Sequence, residues 1–124
     1  MIWTFLQVAL GGAMGAMARF GTGLVMARVA GPTFPLGVMT ANLLGCLAMG
    51  LFVGLAGLRG WTHLNPLVAT GFLGGFTTFS SFSLEAMTLM QRGQGSAAMV
   101  YVTLSVVGGL AALWLGLAMA RGLA

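Results

Sequence analysis

Four stretches of the chain are apolar enough, and long enough, to cross a lipid bilayer. A transmembrane helix needs about 20 apolar residues because the hydrocarbon core of a bilayer is about 30 Å thick. Charged residues make up only 5% of the sequence, whereas soluble domains carry about 25%. A water-soluble globule is therefore excluded. The sequence predicts an all-α integral membrane protein, a single domain over residues 1–124 with transmembrane helices at about 2–27, 36–58, 64–90 and 97–120.

The connections between these helices are short and hold residues that end a helix. Residues 31–35 include two prolines, which lack the N–H group that a helix needs. Residues 59–63 and 91–95 are short and polar for this chain. Such connections place neighbouring helices antiparallel, so both termini are expected on one side of the membrane. Residues 1–27 are assigned to the mature first helix, because the basic start of a signal peptide is missing.

The positive charges are few and evenly divided. The net charge of +4 comes from five arginines and one glutamate. The arginines stand singly, mostly near the ends of apolar runs, as membrane-interface anchors do, and form no cluster that would bind nucleic acid. Arg59 and Arg121 fall on one predicted side of the membrane, and Arg28 and Arg92 on the other. The α-amino group adds to the first side and Arg19, late in its helix, leans to the second, so neither breaks the balance. Because an excess of Lys and Arg in short cytoplasmic loops sets orientation, this balance predicts insertion in both orientations.

Glycine is abundant and recurs at spacings that suit close helix packing. Helices in lipid gain little from hydrophobic burial, so small residues that let two backbones approach carry much of their association. Four helices alone make a thin bundle, which suggests an oligomer. The glycine pairs with this spacing are Gly11 and Gly15, Gly50 and Gly54, and Gly71 and Gly75.

The third helix contains an unusual segment, residues 71–83, with the sequence GFLGGFTTFSSFS. Glycine pairs and β-branched threonines weaken a helix, and hydroxyl groups compete for its backbone hydrogen bonds. We expect this helix to be broken in mid-membrane, near Gly74–Thr78. Backbone carbonyls freed there could bind a small hard cation. A glycine kink without any ligand is an equally good interpretation of the spacing.

Polar side chains and phenylalanines follow the expected break. Phe79 and Phe82 share one helix face by their i, i+3 spacing, and Ser80 and Ser83 share a neighbouring one. On the second helix, Asn42 lies mid-span near Thr40. An amide in hydrocarbon needs a partner, so it marks either a helix–helix hydrogen bond or a solvated path. Together, neutral donors and the positive edges of aromatic rings suit an anion that must be held weakly.

The remaining polar groups do not predict catalysis. Glu85 is the only acidic side chain and lies late in the third helix, where an interfacial position is favoured over a proton or cation site. His63 is most simply a solvated loop residue. Neither has a second carboxylate or histidine with which to build a nucleophilic or metal site, so an enzyme is not expected. Cys46 is the single cysteine and cannot form an intrachain disulfide.

Three blocks of the sequence carry a resemblance to a known family: GGAMGAMARF at residues 11–20, FPLG at 34–37 with NLLG at 42–45, and residues 71–83. The chain resembles the Fluc (CrcB) fluoride channels over nearly its whole length. The resemblance implies an antiparallel, dual-topology homodimer in the cell (inner) membrane, with two pores that export fluoride passively and relieve its toxicity.

The family's functional residues carry over to matching positions of this chain. The resemblance implies a structural sodium ion at the dimer centre, bound by the backbone carbonyls of Gly74 and Thr77, and places Arg19 at the dimer interface. Val38 and Cys46 depart from a common threonine and a common serine, which affects the polarity of the vestibule. The implied pore residues are Asn42, Phe79, Phe82, Ser80, Ser81, Ser83, Thr40 and Tyr101.

Two other functions fit a four-helix membrane protein. A small dual-topology multidrug/proton antiporter needs an essential carboxylate near the bilayer centre, and Glu85 lies too near a helix end for that role. A packing subunit of a larger complex would leave the segment at residues 71–83 without an explanation.

Overall fold

A computed structural model describes residues 1–123 of the chain, and these residues form helices joined by short connections. Four spans in it are long and apolar enough to cross a membrane. The elements are α1 (Ile2–Ala30), α2 (Leu36–Arg59), a 3-10 turn (Thr62–Leu64), a π-helix (Pro66–Leu73), α3 (Gly74–Phe76), α4 (Phe79–Gln91) and α5 (Gly95–Gly122).

The helices run slightly beyond the apolar runs that predict them. α1 continues to Ala30 and α5 begins at Gly95, because a helix ends where its hydrogen bonds end and not where its apolar residues do. After α2, Gly60 adopts φ 72°, the left-handed conformation that glycine enters at no steric cost, and its N–H donates to the carbonyl of Ala56. The predicted helix ends are corrected accordingly.

Alternate helices of the bundle run in the same direction. Along α1, Gly11 approaches Leu67 and Gly15 approaches Phe76, so the sequence numbers of α1 and the third span rise together. The same holds for α2 and α5, where Gly50 approaches Leu113 and Gly54 approaches Ala120. The side chain of Arg59, at the end of α2, also reaches the backbone carbonyl of Leu123 after α5. The four spans therefore alternate in direction.

Glycine allows the closest contacts of the bundle. A Cβ atom at Gly15 would collide with the carbonyl oxygen of Phe72 and lie 2.8 Å from the amide nitrogen of Phe76. Between α2 and α5, a Cβ atom at Gly50 would collide with the carbonyl oxygen of Leu113. The backbones touch directly at both places, which confirms the close-packing role predicted for the glycine pairs.

The third span is irregular in two places. Its first eight residues are π-helical, a feature that no sequence pattern predicted. Regular helix then stops after Phe76, and both Thr77 (φ −88°, ψ 155°) and Thr78 (φ −152°, ψ 125°) are extended before α4 begins at Phe79. The glycines Gly74 and Gly75, expected to weaken the helix, are themselves helical. The interruption lies on the two β-branched residues after them.

Candidate functional site

Asn42 on α2 is paired with the backbone of Thr78 at the interruption. Its side-chain amide donates to the carbonyl oxygen of Thr78 at 3.0 Å, and the Thr78 N–H donates to its side-chain oxygen at 2.7 Å. Both backbone groups of Thr78 are thus satisfied by one side chain from another helix. In an apolar bundle an unpaired peptide group is costly, so this pair stabilises the extended backbone.

The start of α4 is capped by the same threonine. The Thr78 hydroxyl oxygen accepts a hydrogen bond from the Ser81 backbone N–H at 3.2 Å, which is the N-cap arrangement. It also lies 3.3 Å from the hydroxyl oxygen of Ser80. Thr78 therefore joins Asn42 to the first turn of α4, and Ser80 and Ser81 are arranged around that turn.

Two further backbone carbonyls on the other side of the interruption have partners. Arg19 of α1 donates from its Nε atom to the carbonyl oxygen of Gly75 at 3.1 Å. Thr77 turns its side chain back along the helix, where its hydroxyl and its N–H both donate to the carbonyl oxygen of Leu73, at 2.9 and 3.0 Å. Arg19 is therefore tied to the third span of its own chain.

The carbonyls of Gly74 and Thr77, at which the family resemblance places a cation, have no partner across the interruption. Within residues 1–123, no side-chain donor and no backbone donor from outside their own helices reaches either oxygen, and the same holds for the carbonyl oxygen of Phe76. Carbonyl oxygens are suitable ligands for a hard cation. These two atoms fit the sodium site expected from the family resemblance as far as the chemistry of the donors goes.

A cavity of about 230 Å³ lies beside the interruption. Phe79 and Phe82 form one of its walls, with ring centroids 5.7 Å apart. The Phe79 ring is 80% exposed in the single chain. The residues that line this cavity are Asn42, Cys46, Thr77, Thr78, Phe79, Phe82, Ser105 and Val106.

Two hydroxyl groups from α5 lie at or near this cavity without partners. Tyr101 is fully buried, and its ring centroid lies 5.5 Å from that of Phe82. Ser105, one helical turn later, lines the cavity itself. In the described part of the chain neither buried hydroxyl oxygen has a hydrogen-bond partner. Sequence reasoning missed Ser105, although its i, i+4 spacing from Tyr101 places both on one face.

Aromatic rings connect this cavity to a second one near the 31–35 connection. Phe34 packs edge-to-face on Tyr101 with centroids 5.8 Å apart, and Tyr101 in turn contacts Phe82. Phe34 also lines the second cavity, which is about 230 Å³ in volume and includes Glu85 and Arg92. Glu85 therefore lies near the end of the bundle that carries the 31–35 connection.

Five of the eight predicted pore residues do not line the cavity, namely Ser80, Tyr101, Ser81, Ser83 and Thr40. The Ser83 hydroxyl donates to the carbonyl oxygen of Phe79 within α4, at 3.0 Å. Ser81 contributes its backbone N–H to the cap rather than a wall of the cavity. Thr40 lies two positions before Asn42 on α2, a spacing that puts it on another face. The structure thus gathers Asn42, Phe79 and Phe82 closely, with Tyr101 and Ser80 next to them.

The chemistry of this site is that of neutral donors among aromatic rings. An amide nitrogen offers two hydrogens, and Asn42 uses one of them on Thr78, so one remains for a ligand. Hydroxyl groups can turn to donate, and ring edges carry positive partial charge. Such groups can replace the water around a small anion without binding it as tightly as a full positive charge would.

Comparison with known proteins gives matches over almost the whole chain. Residues 6–117 match the family described as CrcB-like protein, Camphor Resistance (CrcB). A protein of Paracoccus denitrificans named Fluoride-specific ion channel FluC is 54% identical over 120 residues, covering 97% of this chain and 96% of its own. Relatives with the same name are 50% identical in Cereibacter sphaeroides, covering 98% of both chains, and 46% identical in Rhizobium etli, covering 100% of both.

Proposed function

Since the chain belongs to the CrcB family, we propose that it is one subunit of a fluoride-selective ion channel. The channel lets fluoride leave the cell passively and so relieves fluoride toxicity. The subunit is a multi-pass membrane protein, and we place it in the cell (inner) membrane. The pairing of Asn42 with Thr78 beside an aromatic-walled cavity is the observation that carries the proposal.

The hydrogen bonds between Asn42 and Thr78 matter because they form a polar site inside an apolar helix bundle. Fluoride is small and strongly hydrated, so it crosses a bilayer only where donors replace its water. The free hydrogen of Asn42 and the hydroxyl of Ser105 offer such donors in the cavity, and the edges of Phe79 and Phe82 add weak attraction. None of these groups carries a full charge. Weak binding at several sites is what conduction requires.

The route continues along the rings toward the second cavity. From Phe82 the ion passes Tyr101, whose hydroxyl has no partner among residues 1–123, and then Phe34. It leaves through the cavity that contains Glu85. Ser80 and Ser105 lie beside this path, whereas Ser81, Ser83 and Thr40 stay predicted pore residues outside the lining of the cavity.

We propose that two subunits pair in opposite orientations and form two such pores. The exposure of Phe79 supports a partner, because a pore wall open on one side in the single chain needs a cover. The even division of arginines between the two sides of the membrane supports insertion both ways. Arg19 is assigned to the interface between subunits, where it also fixes the carbonyl of Gly75.

We propose a sodium ion at the centre of this dimer, bound by the backbone carbonyls of Gly74 and Thr77. Each subunit would contribute the oxygens of Gly74 and Thr77, which gives hard ligands from both chains. When bound, the ion supplies positive charge that holds these carbonyl dipoles together across the interface. The Asn42 pair and the Arg19 contact keep the neighbouring carbonyls of Thr78 and Gly75 occupied, so the ion competes with neither.

Fluoride efflux from liposomes tests the function directly. The purified protein is reconstituted, and release of trapped fluoride is followed with an electrode, with trapped chloride as control. We expect fast fluoride release and chloride release at the rate of protein-free liposomes. Phe79→Ile and Phe82→Ile should lower fluoride flux severely while assembly is kept, whereas Phe5→Ile, at an exposed position of α1, should not.

The result also separates the channel from the alternative antiporter. Passive fluoride release without any proton gradient or drug supports a channel. Wild-type fluoride flux in both the Phe79 and the Phe82 variant would overturn the assignment of the pore. The family relatives are named as fluoride channels, which gives no support to the multidrug/proton antiporter.

A further inference from the structure

Phe34, on the connection between α1 and α2, packs its ring against Tyr101 of α5. The two ring centroids lie 5.8 Å apart with the ring planes at 81°, an edge-to-face arrangement. Aromatic pairs prefer this geometry because the positive edge of one ring meets the negative face of the other. The backbone at Phe34 is also constrained, since its carbonyl oxygen accepts the N–H of Leu36 at 2.7 Å and the ring of Pro35 lies between them. Phe34 is therefore a well-fixed neighbour for Tyr101.

Tyr101 is fully buried between a wall of one cavity and a wall of the other. Its exposed fraction is 0%, and its side chain lines neither cavity. Phe82 belongs to the cavity beside the interruption, and its ring centroid lies 5.5 Å from that of Tyr101. Phe34 belongs to the cavity near the 31–35 connection. Tyr101 thus has one aromatic neighbour at each cavity.

The other residues packed in this cluster are aliphatic. They are Ala86, Leu89, Ala98, Ala97 and Met39. Aliphatic side chains fill the space around a ring without preferring one angle to its plane, whereas an aromatic neighbour does prefer certain angles. The orientation of the Tyr101 ring therefore depends on its two phenylalanine neighbours, of which Phe82 is a predicted pore residue and Phe34 is not.

The hydroxyl group of Tyr101 gives the orientation of this ring a consequence. Its oxygen is buried and has no hydrogen-bond partner among residues 1–123. A buried hydroxyl without a partner is costly, so the group has an unused hydrogen-bond donor directed into the bundle. Because the hydroxyl stands at the end of a rigid ring, any change in the tilt of the ring moves the oxygen.

We propose that Phe34 is a positioning residue for conduction, whose edge-to-face contact holds Tyr101 so that its hydroxyl donates to the passing anion. The proposal rests on the fluoride channel function proposed above and adds the residue that orients one of its donors. Phe34 acts on the ion through Tyr101. Its removal should therefore matter only while the Tyr101 hydroxyl is present.

A double-mutant cycle on fluoride efflux tests this dependence in the reconstituted full chain. The four proteins are wild type, Phe34→Leu, Tyr101→Phe and the double variant. We expect Phe34→Leu to lower efflux by about 2- to 10-fold, the size that loss of one such ring contact gives. In the Tyr101→Phe background the same change should cause no further loss. An equal loss in both backgrounds, or wild-type efflux in Phe34→Leu, overturns the proposal.

Met39→Val is the matched control for lost packing volume. Met39 packs against the same buried cluster without an aromatic ring, and the change to valine removes about as much side chain as Phe34→Leu does. We expect both variants to shift the midpoint of SDS unfolding similarly, and Met39→Val to keep wild-type efflux. Equal loss of efflux in both would assign the effect to packing alone and overturn the proposal. Phe34→Met provides the same comparison if Phe34→Leu does not assemble.

The orientation of Tyr101 can be followed without any flux, because it is the only tyrosine of the chain. Biosynthetic incorporation of fluorotyrosine labels this position alone, and fluorine NMR of the detergent-solubilised protein reports the surroundings of its ring. We expect the resonance to shift or broaden in Phe34→Leu and to change much less in Met39→Val. An unchanged resonance in Phe34→Leu refutes the positioning role.

Failure of the channel function itself gives a different result. If the wild-type protein does not conduct fluoride, the channel assignment fails, and the fluorine spectra alone decide whether Phe34 orients Tyr101. A larger change in Phe34→Leu than in Met39→Val then supports the contact as the feature that fixes the ring. Equal changes in the two variants refute it.

Discussion

Replacing Asn42 by alanine removes both hydrogen bonds that hold Thr78 in its extended conformation. A net protein hydrogen bond contributes about 1 kcal/mol, and side-chain bonds between membrane helices average about 0.6 kcal/mol. The two bonds therefore stabilise the fold by about 1 to 2 kcal/mol. Leaving the N–H and carbonyl of Thr78 unpaired raises the cost toward about 3 kcal/mol, because a buried unsatisfied group costs about 1–3 kcal/mol.

Function should suffer more than stability in this variant. Thr78 also caps α4, so its release moves Ser80, Ser81 and the ring of Phe79 together. We expect Asn42→Ala to lower the free energy of unfolding by about 1–3 kcal/mol and to reduce fluoride efflux to the liposome background. Asn42→Asp keeps an acceptor for the Thr78 N–H but faces the Thr78 carbonyl with a second oxygen, so its efflux should also be lost.

The free energy of unfolding is measured by titrating the detergent-solubilised protein with SDS and following tryptophan fluorescence. Fluoride efflux is measured with the fluoride electrode. Leu44→Ala is the control, since Leu44 lies on the same helix and is exposed. Its unfolding free energy should stay within about 0.5 kcal/mol of wild type, as is usual for surface substitutions. If Asn42→Ala lowers the free energy of unfolding as little as Leu44→Ala does and conducts fluoride normally, the hydrogen bonds between Asn42 and Thr78 contribute to neither stability nor conduction.

Three further outcomes are expected. Gly15→Ala should destabilise the bundle by about 1–3 kcal/mol through overpacking on the π-helix, whereas Gly21→Ala, with nothing near its Cβ position, should stabilise it by about 0.5–1 kcal/mol; similar unfolding curves for both would contradict the close packing. Thr77→Ala removes the hydroxyl bond to Leu73 but keeps the carbonyl, so the Na⁺ dependence of assembly and flux should remain, and a lost dependence would place the ligand on the side chain. Two or three lysines added after the C-terminus should fix one orientation and abolish efflux, and co-expression of an oppositely biased variant should restore it; reporter fusions that find one orientation in the unmodified chain would refute dual topology.

The sequence determined the class, the number of spans and the family of this protein. The chain has four long apolar stretches, and only 5% of its residues are charged, so these stretches must lie in a lipid bilayer. The resemblance carried by residues 11–20, 34–45 and 71–83 is confirmed by the family match. Glycine spacing also predicted contacts correctly, as at Gly15 and Gly50, because small residues are needed wherever two helix backbones touch.

The tertiary structure decided where the polar groups meet. The pairing of Asn42 with Thr78 spans two helices, so no local pattern encodes it. The sequence alone favoured a simple helix–helix hydrogen bond over a solvated path and could not name the partner. The π-helix packs on α1 at Gly11 and Gly15, and the interruption at Thr77 and Thr78 is paired with α2 through Asn42, which are contacts between helices that no single segment encodes. Ser105 entered the site for the same reason. Propensity acts within one helix, whereas a cavity is formed by the faces that several helices turn toward one another.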